Sequence, residues 1–190
     1  MWSGTRFTGA ICLIYKFITM KIIFTFTFLS FLFVNAYCQM PAAGNGDKNP
    51  YYSRTATEKL DVSNTTWKKI LPADLYAVAR EGATERAFTG KYWSGNPKGT
   101  YYCAVCGNLL FRSDAKFSST CGWPSFFEPV RKNSTVYKDD NSYGMQRTEV
   151  RCGRCGSHLG HIFDDGPPPT GKRYCMNSIS LTFEPDTIQH

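Results

Sequence analysis

The sequence lacks the marks of several large classes of protein. It has no run of five or more Lys/Arg, so the formal net charge of +7 indicates no dedicated nucleic-acid surface and no nucleic-acid partner. It has no apolar run of the roughly 18–20 residues that a membrane-spanning helix needs. Wholesale disorder is also excluded, because 42% of the 190 residues are hydrophobic and 19% are charged. We expect one compact domain with a tail, present as a monomer.

The first 38 residues have the layout of a targeting segment. They hold three basic residues and no acidic ones: Arg6, Lys16 and Lys21. An apolar stretch at 22–34 follows, and small residues around Ala36 lie at a spacing suited to signal-peptide cleavage. We expect a protein of the secretory pathway or the extracellular space, with Met20 as an alternative start. A mitochondrial presequence, an uncleaved anchor and a cytoplasmic location are the alternatives. Residues 39–63 are polar and rich in Gly, Pro and Ala, which predicts a linker.

From residue 64 onward the pattern predicts a mainly β fold of twisted antiparallel sheets with a short helical N-terminal portion. Ser63 or Asn64 can cap a first helix, and Pro72 ends it and opens a second that runs to about Gly82. Short strand patterns with intervening turn signals then follow at 91–93, 100–105, 108–112, 148–151 and 173–183. The stretch 166–171 must be a loop, because its three prolines cannot join a β-ladder.

Cysteine is the residue with the most unusual count, 8 in all, of which Cys12 and Cys38 lie in the targeting segment. Four of the remaining six form two Cys-x-x-Cys-Gly units: Cys103, Cys106, Cys152 and Cys155. Two intervening residues let both sulfurs of one turn reach the same ion, and two such turns supply the four thiolates of a tetrahedral zinc site. A filled site of this kind is structural, so we expect one Zn²⁺ per chain that joins two distant hairpins. Two ordinary redox or disulfide motifs are the alternative.

The last two cysteines lie in different surroundings. Cys121 lies in a turn-rich aromatic loop, whereas Cys175 lies in the strand pattern 173–183. Strand alternation puts six residues of this pattern on one face: Arg173, Cys175, Asn177, Ile179, Leu181 and Phe183. A neighbouring arginine favours the nucleophilic thiolate, but a small buried core residue is the commoner fate of a free cysteine. The residues alone leave both interpretations of Cys175 open.

Two of the three histidines, His158 and His161, follow the second Cys-x-x-Cys unit directly. They could be metal ligands, surface residues or acid–base groups. A turn fixed by zinc would hold them rigidly, which suits proton transfer near pH 7. Asp164 and Asp165 could orient a histidine or simply lead into the turn at Gly166.

Five stretches together resemble a known family. They are TERAFTGKYW at 84–93, CGWPSF at 121–126, EVRC at 149–152, HLGHIFDDGP at 158–167 and RYCMNS at 173–178. In this order and spacing they resemble the B-type peptide methionine-R-sulfoxide reductases, the MsrB family, and the resemblance assigns residues 64–186 to that domain. Two positions depart from the family pattern, because Ser118 stands where Asp is usual and Thr120 where Gly is usual.

The resemblance implies reduction of the R epimer of methionine sulfoxide in oxidised proteins or peptides. Cys175 would attack the sulfoxide sulfur and become a sulfenic acid, which Cys121 would convert to a disulfide. Thioredoxin or another dithiol reductant would then reset the pair. A zinc-ribbon-like binding module without catalysis, and a secreted disulfide-rich protein, are the alternative classes.

The resemblance also implies roles for the neighbouring side chains. His158 and His161, with Asp165 in support, would supply the proton that the sulfoxide oxygen takes up. Arg173 and Asn177 would hold the thiolate and the polar oxygen, and Trp123 would pack its indole face against the S-methyl group of the substrate.

Overall fold

The structure, a computed structural model, describes residues 49–187. The predicted targeting segment and the first part of the predicted linker, residues 39–48, lie outside the described residues. Among the helices in the described part of the chain, none is long and apolar enough to cross a membrane.

Two short helices open the domain, as the sequence predicted. Helix α1 covers Asn64–Ile70, and the Ser63 hydroxyl accepts the backbone N–H of Thr66 at 3.2 Å as an N-cap. Helix α2 covers Ala73–Glu81 and ends at Gly82, whose φ of 76° is the left-handed conformation that glycine adopts most readily. The helices bury Trp67, Leu75 and Ala79 in the core.

Within residues 49–187, nine strands form two antiparallel sheets, which confirms the predicted fold class. The first sheet has the order β2-β1-β9 and consists of β1 (Gly99–Cys103), β2 (Leu109–Arg112) and β9 (Leu181–Pro185). The second has the order β3-β4-β8-β7-β6-β5. Its strands are β3 (Lys116–Phe117), β4 (Ser125–Phe126), β5 (Thr135–Asp140), β6 (Arg147–Cys152), β7 (His158–Phe163) and β8 (Arg173–Met176).

The predicted strand at 173–183 is wrong in one respect, because the chain forms two strands in different sheets. A 3₁₀ turn at Ser178–Ser180 separates β8 from β9. The Glu85 carboxylate accepts the backbone N–H groups of Ser178 and Ile179 at 2.6 and 3.0 Å, and this bends the chain out of the sheet. Ile179, Leu181 and Phe183 therefore do not share the strand face of Cys175.

The predicted strand at 91–93 is also wrong, because these residues form a turn. The backbone N–H of Tyr92 donates to the Ser178 hydroxyl at 3.2 Å instead of joining a ladder. The Tyr92 ring packs edge-on against Tyr101 of β1, with ring centroids 5.5 Å apart. Aromatic packing thus fixes the segment that precedes β1.

The core lies between the two sheets and the helices and is rich in aromatic side chains. Phe111 of β2 stacks on Phe126 of β4, with ring centroids 4.4 Å apart. Tyr101 of β1 meets Phe126 edge-on at 5.0 Å. Both phenylalanines are fully buried. This packing fixes β4 and the neighbouring β8, the two strands that adjoin the candidate site.

The described part of the predicted linker, residues 49–63, lies against the domain rather than running free. The Asn49 side-chain amide donates to the carbonyl of Val105 at 2.8 Å, and the Ser53 N–H donates to that of Cys106 at 3.0 Å. The N–H of Leu60 donates to the carbonyl of Arg154 at 2.8 Å. This segment therefore connects the two Cys-x-x-Cys turns on their outer side.

Candidate active site and metal centre

The four predicted metal ligands meet at one point. The sulfur atoms of Cys103, Cys106, Cys152 and Cys155 all lie within 4.8 Å of one another, and all four residues are buried. The Cys103–Cys155 and Cys106–Cys152 sulfur distances are 3.7 and 3.6 Å. A tetrahedral zinc site with Zn–S bonds of about 2.3 Å has sulfur–sulfur edges of about 3.8 Å, so the four thiols can bind a metal and their spacing fits zinc.

Both turns present their thiols through the same backbone geometry. β1 ends at Cys103 and β6 ends at Cys152, and each strand leads into a turn closed by a glycine. The N–H of Gly107 donates to the Cys103 carbonyl at 2.8 Å, and that of Gly156 to the Cys152 carbonyl at 2.9 Å. Their φ angles of 77° and 68° lie in the left-handed region, where a side chain would be strained.

Two arginines lie close to this sulfur cluster. The guanidinium of Arg154 donates to the carbonyl oxygens of Cys106 and Tyr51 at 2.5 and 3.0 Å. That of Arg80 donates to the Cys155 carbonyl at 3.0 Å. A zinc ion with four thiolates carries a net charge of −2, so positive charge beside the cluster offsets the cost of burying it.

A second pair of sulfurs lies apart from the first cluster. Cys121 and Cys175 are free thiols whose Sγ atoms are 3.4 Å apart. Cys175 lies on β8 opposite Ser125 of β4, and the loop that precedes β4 carries Cys121 back over this position. A disulfide bond is about 2.05 Å long, so a shift of little more than 1 Å would bring the two sulfurs to bonding distance.

The two thiols have different acidities. Burial raises the pKa of Cys175 to about 12; the nearby Cys121 adds to the rise, and Arg173 opposes it. Burial would also raise the pKa of Cys121, but hydrogen bonds from Ser119 and Ser125 outweigh it and lower the value to about 7. In the resting pair Cys121 is therefore the more acidic thiol, and Cys175 keeps its proton near neutral pH.

This asymmetry predicts selective alkylation of the reduced protein. Iodoacetamide reacts with thiolates, so Cys121 should be labelled first, at a rate that rises to a plateau as the pH passes about 7. Labelling of Cys175 should lag throughout the range from about pH 6 to pH 9. Mass spectrometry of tryptic peptides measures both rates, and labelling of Cys175 before Cys121 would contradict the assignment.

The two histidines are held by carboxylates on neighbouring strands. His161 on β7 lies directly opposite Cys175 on β8, and its Nε2 is 2.8 Å from Oδ2 of Asp140. His158 pairs through its other nitrogen, with Nδ1 2.8 Å from Oε1 of Glu149. Burial lowers the pKa of His158, an effect that Glu149 opposes.

A break in the strand register brings both histidines to the same side of the sheet. Residues three apart in a regular strand point to opposite faces. Here the pairing of β6 with β7 shifts between Val150 and Arg151, as in a β-bulge. The rings of His158 and His161 consequently meet edge-on, with centroids 5.4 Å apart.

Asp165 does not support either histidine, contrary to the sequence-based expectation. Its two carboxylate oxygens accept Nε and Nη2 of Arg173 at 2.8 and 2.9 Å, and the neighbouring Asp164 pairs with Lys172. The Arg173 guanidinium also lies 4.4 Å from the centroid of the Phe163 ring. Arg173 and Cys175 do share one face of β8, as predicted. The contact of Asp165 with the site is therefore its ion pair with Arg173.

Next to Cys175 a pocket opens between Trp123 and β7. Its lining residues are Thr84, Trp123, Arg147, Gly160, His161, Phe163, Cys175, Met176 and Asn177. The Trp123 indole N–H donates to the Glu85 carbonyl at 3.2 Å, which fixes the ring as one wall. The pocket thus combines an aromatic wall with a thiol and an imidazole, which suits a small polar group on an apolar side chain.

Asn177 is tied to the backbone rather than free in the pocket. Its Oδ1 accepts the Glu85 N–H at 3.0 Å, and its Nδ2 donates to the Leu159 carbonyl at 3.1 Å. One Nδ2 hydrogen remains for another acceptor. The residue therefore joins the chain after Cys175 both to β7 and to the segment that holds Trp123.

Comparisons with known proteins agree with this arrangement of residues. Residues 71–185 match the family model described as the SelR domain. A protein of Agrobacterium fabrum named "Peptide methionine sulfoxide reductase MsrB" is 50% identical over 133 residues, which cover 70% of this chain and 98% of that protein. The chain belongs to the MsrB family. An MsrB of Azotobacter vinelandii is 50% identical over 128 residues, 67% of this chain and 96% of the relative. An MsrB of Bradyrhizobium diazoefficiens is 52% identical over 133 residues, 70% of this chain and 96% of the relative.

Three polar residues of this MsrB site were not predicted from the sequence. Asp140 and Glu149 pair with the histidines, and Glu85 accepts or donates four hydrogen bonds that connect Trp123, Asn177 and the turn after β8. Glu149 belongs to the EVRC stretch of the family pattern, but that pattern did not indicate which side chain it pairs with. Asp140 carries no sequence signal beyond its position at the end of an acidic strand.

Proposed function

We propose that this chain reduces the R epimer of methionine sulfoxide in proteins or peptides, with Cys175 as the nucleophile and Cys121 as the resolving thiol. The single observation that carries the proposal is the pair of free thiols, 3.4 Å apart, beside a pocket with a tryptophan wall. The relatives named as peptide methionine sulfoxide reductases support the reaction class.

The pocket suits the side chain of methionine sulfoxide. The S-methyl group and the methylenes would contact Trp123, Phe163 and Met176, which supply apolar and polarisable surface. The sulfoxide oxygen, the one polar atom of this side chain, would then face His161. Because sulfur is a stereocentre, exchanging the methyl group and the oxygen would turn the oxygen toward the indole, and this supports selection of one epimer.

In the first step the Cys175 sulfur attacks the sulfoxide sulfur. The thiol has a pKa of about 12 and holds its proton at neutral pH, but the reaction itself supplies an acceptor, because the sulfoxide oxygen takes up a proton as its bond to sulfur weakens. His161 passes the proton of the Cys175 thiol to this oxygen, so the site gains and loses no proton overall. The protonated oxygen moves to the Cys175 sulfur while the transient sulfur–sulfur bond and the S–O bond of the substrate break. The products are a sulfenic acid on Cys175 and a reduced methionine side chain.

In the second step the Cys121 thiolate attacks the sulfur of the sulfenic acid. The S–O bond breaks, hydroxide leaves with one proton as water, and a Cys121–Cys175 disulfide forms. A pKa of about 7 gives Cys121 a substantial thiolate fraction at neutral pH, which suits an attacking thiol. Thioredoxin or another dithiol reductant would return two electrons and two protons to the pair.

We further propose that the four clustered cysteines hold one structural Zn²⁺. Four buried thiolates at tetrahedral spacing leave no open position on the ion, so it supplies fold stability and takes no part in the redox step. The sulfurs of this cluster are consequently protected from the oxidation that Cys175 undergoes.

An epimer-resolved assay tests the proposal. With excess dithiothreitol the protein should consume a methionine-R-sulfoxide peptide and leave the S epimer unchanged. Without reductant it should reduce one methionine sulfoxide residue per chain and form one new disulfide, between Cys121 and Cys175, which peptide mass spectrometry identifies. Reduction of the S epimer would contradict the specificity. A zinc-loaded protein that reduces neither epimer would favour the alternative of a binding module without catalysis.

A further inference from the structure

Asp140 is the most highly connected carboxylate beside the candidate site. It ends β5, where the chain enters the hairpin tip at 141–146. Its Oδ1 accepts the N–H and the hydroxyl of Ser142 at 3.0 and 2.6 Å. Its Oδ2 accepts Nη2 of Arg147, its cross-strand partner on β6, at 2.6 Å and lies 2.8 Å from Nε2 of His161.

These contacts keep Asp140 ionised and fixed. The hydrogen bonds from Ser142, together with those from His161 and Arg147, hold the pKa of this carboxyl well below its usual range. An ionised carboxylate only accepts hydrogen bonds, so Nε2 of His161 must carry the hydrogen in this pair. In the neutral ring Nδ1 is then the unprotonated nitrogen, and among the described residues it has no hydrogen-bond partner.

The other histidine has the opposite arrangement. Glu149 holds His158 through Nδ1, and His158 is buried with 4% exposure, whereas His161 lines the pocket together with Cys175 and Trp123. Of the two carboxylate–histidine pairs, the one with Asp140 therefore controls the imidazole that lies across from the nucleophile.

We propose that Asp140 is a positioning residue for the sulfoxide reaction, which holds the His161 ring in one orientation and one tautomer so that Nδ1 exchanges the proton with the sulfoxide oxygen. This inference rests on the proposed function. Nδ1 takes the proton from the Cys175 thiol as the sulfur attacks and passes it to the sulfoxide oxygen as the S–O bond weakens, while the Nε2–H···carboxylate bond is kept throughout.

The test compares Asp140→Asn with Asp139→Asn. Asp139 is the adjacent carboxylate on β5, it is exposed, and it points to the other face of the strand, so this variant makes the same charge change without touching His161. Asp140→Asn should lower kcat about 10- to 100-fold, part of what general acid catalysis contributes, and change KM less than about 3-fold. Asp139→Asn should keep kcat within about 2-fold of wild type.

Two further measurements separate positioning from loss of fold. In a His161→Gln background, adding Asp140→Asn should cost less than about 2-fold in kcat, because the two residues act as one unit. Nitrogen-15 NMR of the reduced wild-type protein should give the Nε2–H tautomer for the neutral His161 ring, and Asp140→Asn should shift the population toward Nδ1–H.

The inference is overturned by an equal loss of kcat in both backgrounds, or by a wild-type His161 ring in the Nδ1–H tautomer. A fall in the melting temperature of Asp140→Asn that accounts for its loss of activity would also overturn it. Failure of the proposed function would instead appear as a wild-type protein that reduces neither epimer, whatever the tautomer of His161.

Discussion

Replacing Cys175 by serine is expected to abolish reduction of methionine sulfoxide, with a loss of about four orders of magnitude or more in kcat. The hydroxyl is far less nucleophilic than the thiolate, and among the cysteines of residues 49–187 no other thiol is placed to take over. The sulfurs of the four-cysteine cluster are buried, and in the proposed reaction Cys121 acts only after Cys175. Conversion of a methionine sulfoxide peptide to the methionine peptide, followed by chromatography, measures the loss.

Cys121→Ser is the matched variant, because it removes the other thiol of the same pair. It should still reduce one methionine sulfoxide residue per chain in a single turnover and then stop at the sulfenic acid, which dimedone traps as an adduct on Cys175. Both variants should retain the zinc content and the melting temperature of wild type. Turnover by Cys175→Ser, or a dimedone adduct on a different cysteine, would contradict the assignment of the nucleophile.

The metal cluster and the helices could be predicted because their signals are local in the sequence. Two residues between cysteines, followed by a glycine, specify a turn that presents two sulfurs on one side, and the second turn repeats it. Ser63, Pro72 and Gly82 define the helix ends through contacts within a few residues. The geometry of these parts depends little on the rest of the chain, so the pattern was sufficient.

The break between β8 and β9 could not be predicted in this way. Residues 173–183 alternate like a single strand, and the groups that bend them belong to Glu85, which lies 93 positions away from Ser178 in the sequence. The glutamate satisfies two backbone N–H groups that would otherwise need a ladder partner. Only the folded arrangement brings this carboxylate to the turn.

The partners of the histidines depend on strand register, which the sequence did not reveal. Asp165 is only four positions from His161, and the resemblance to the family made it the candidate. The residues on either side of His161 are instead set by pairing, with Cys175 opposite on β8 and Glu149 opposite on β6. Because the register shifts at Val150, the Glu149 carboxylate pairs with His158, and His161 pairs with Asp140. A one-residue error in register would change every one of these partners.

Removing one metal ligand is expected to have the largest effect on stability. A structural zinc contributes on the order of 10 kcal/mol, comparable with the whole stability of a domain, about 5–15 kcal/mol. Cys103 ends a strand of the first sheet and Cys152 a strand of the second, so the proposed ion would join the two sheets. Cys152→Ser should therefore bind less than one zinc per chain and be largely unfolded at 25 °C, as followed by circular dichroism.

The expected loss of stability in Cys152→Ser has a second cause besides the lost bond to the ion. Without the ion, the buried Cys103, Cys106 and Cys155 thiols no longer have a common partner, and the guanidinium groups of Arg80 and Arg154 lie beside a cluster that has lost its negative charge.

Cys121→Ser makes the same atomic change outside the cluster and serves as the control, with unchanged zinc content. A chromogenic chelator that removes zinc from wild type should cause unfolding in proportion to the zinc released. A Cys152→Ser protein with the melting temperature of wild type would show that hydrogen bonds and the aromatic core hold the two sheets together without the ion.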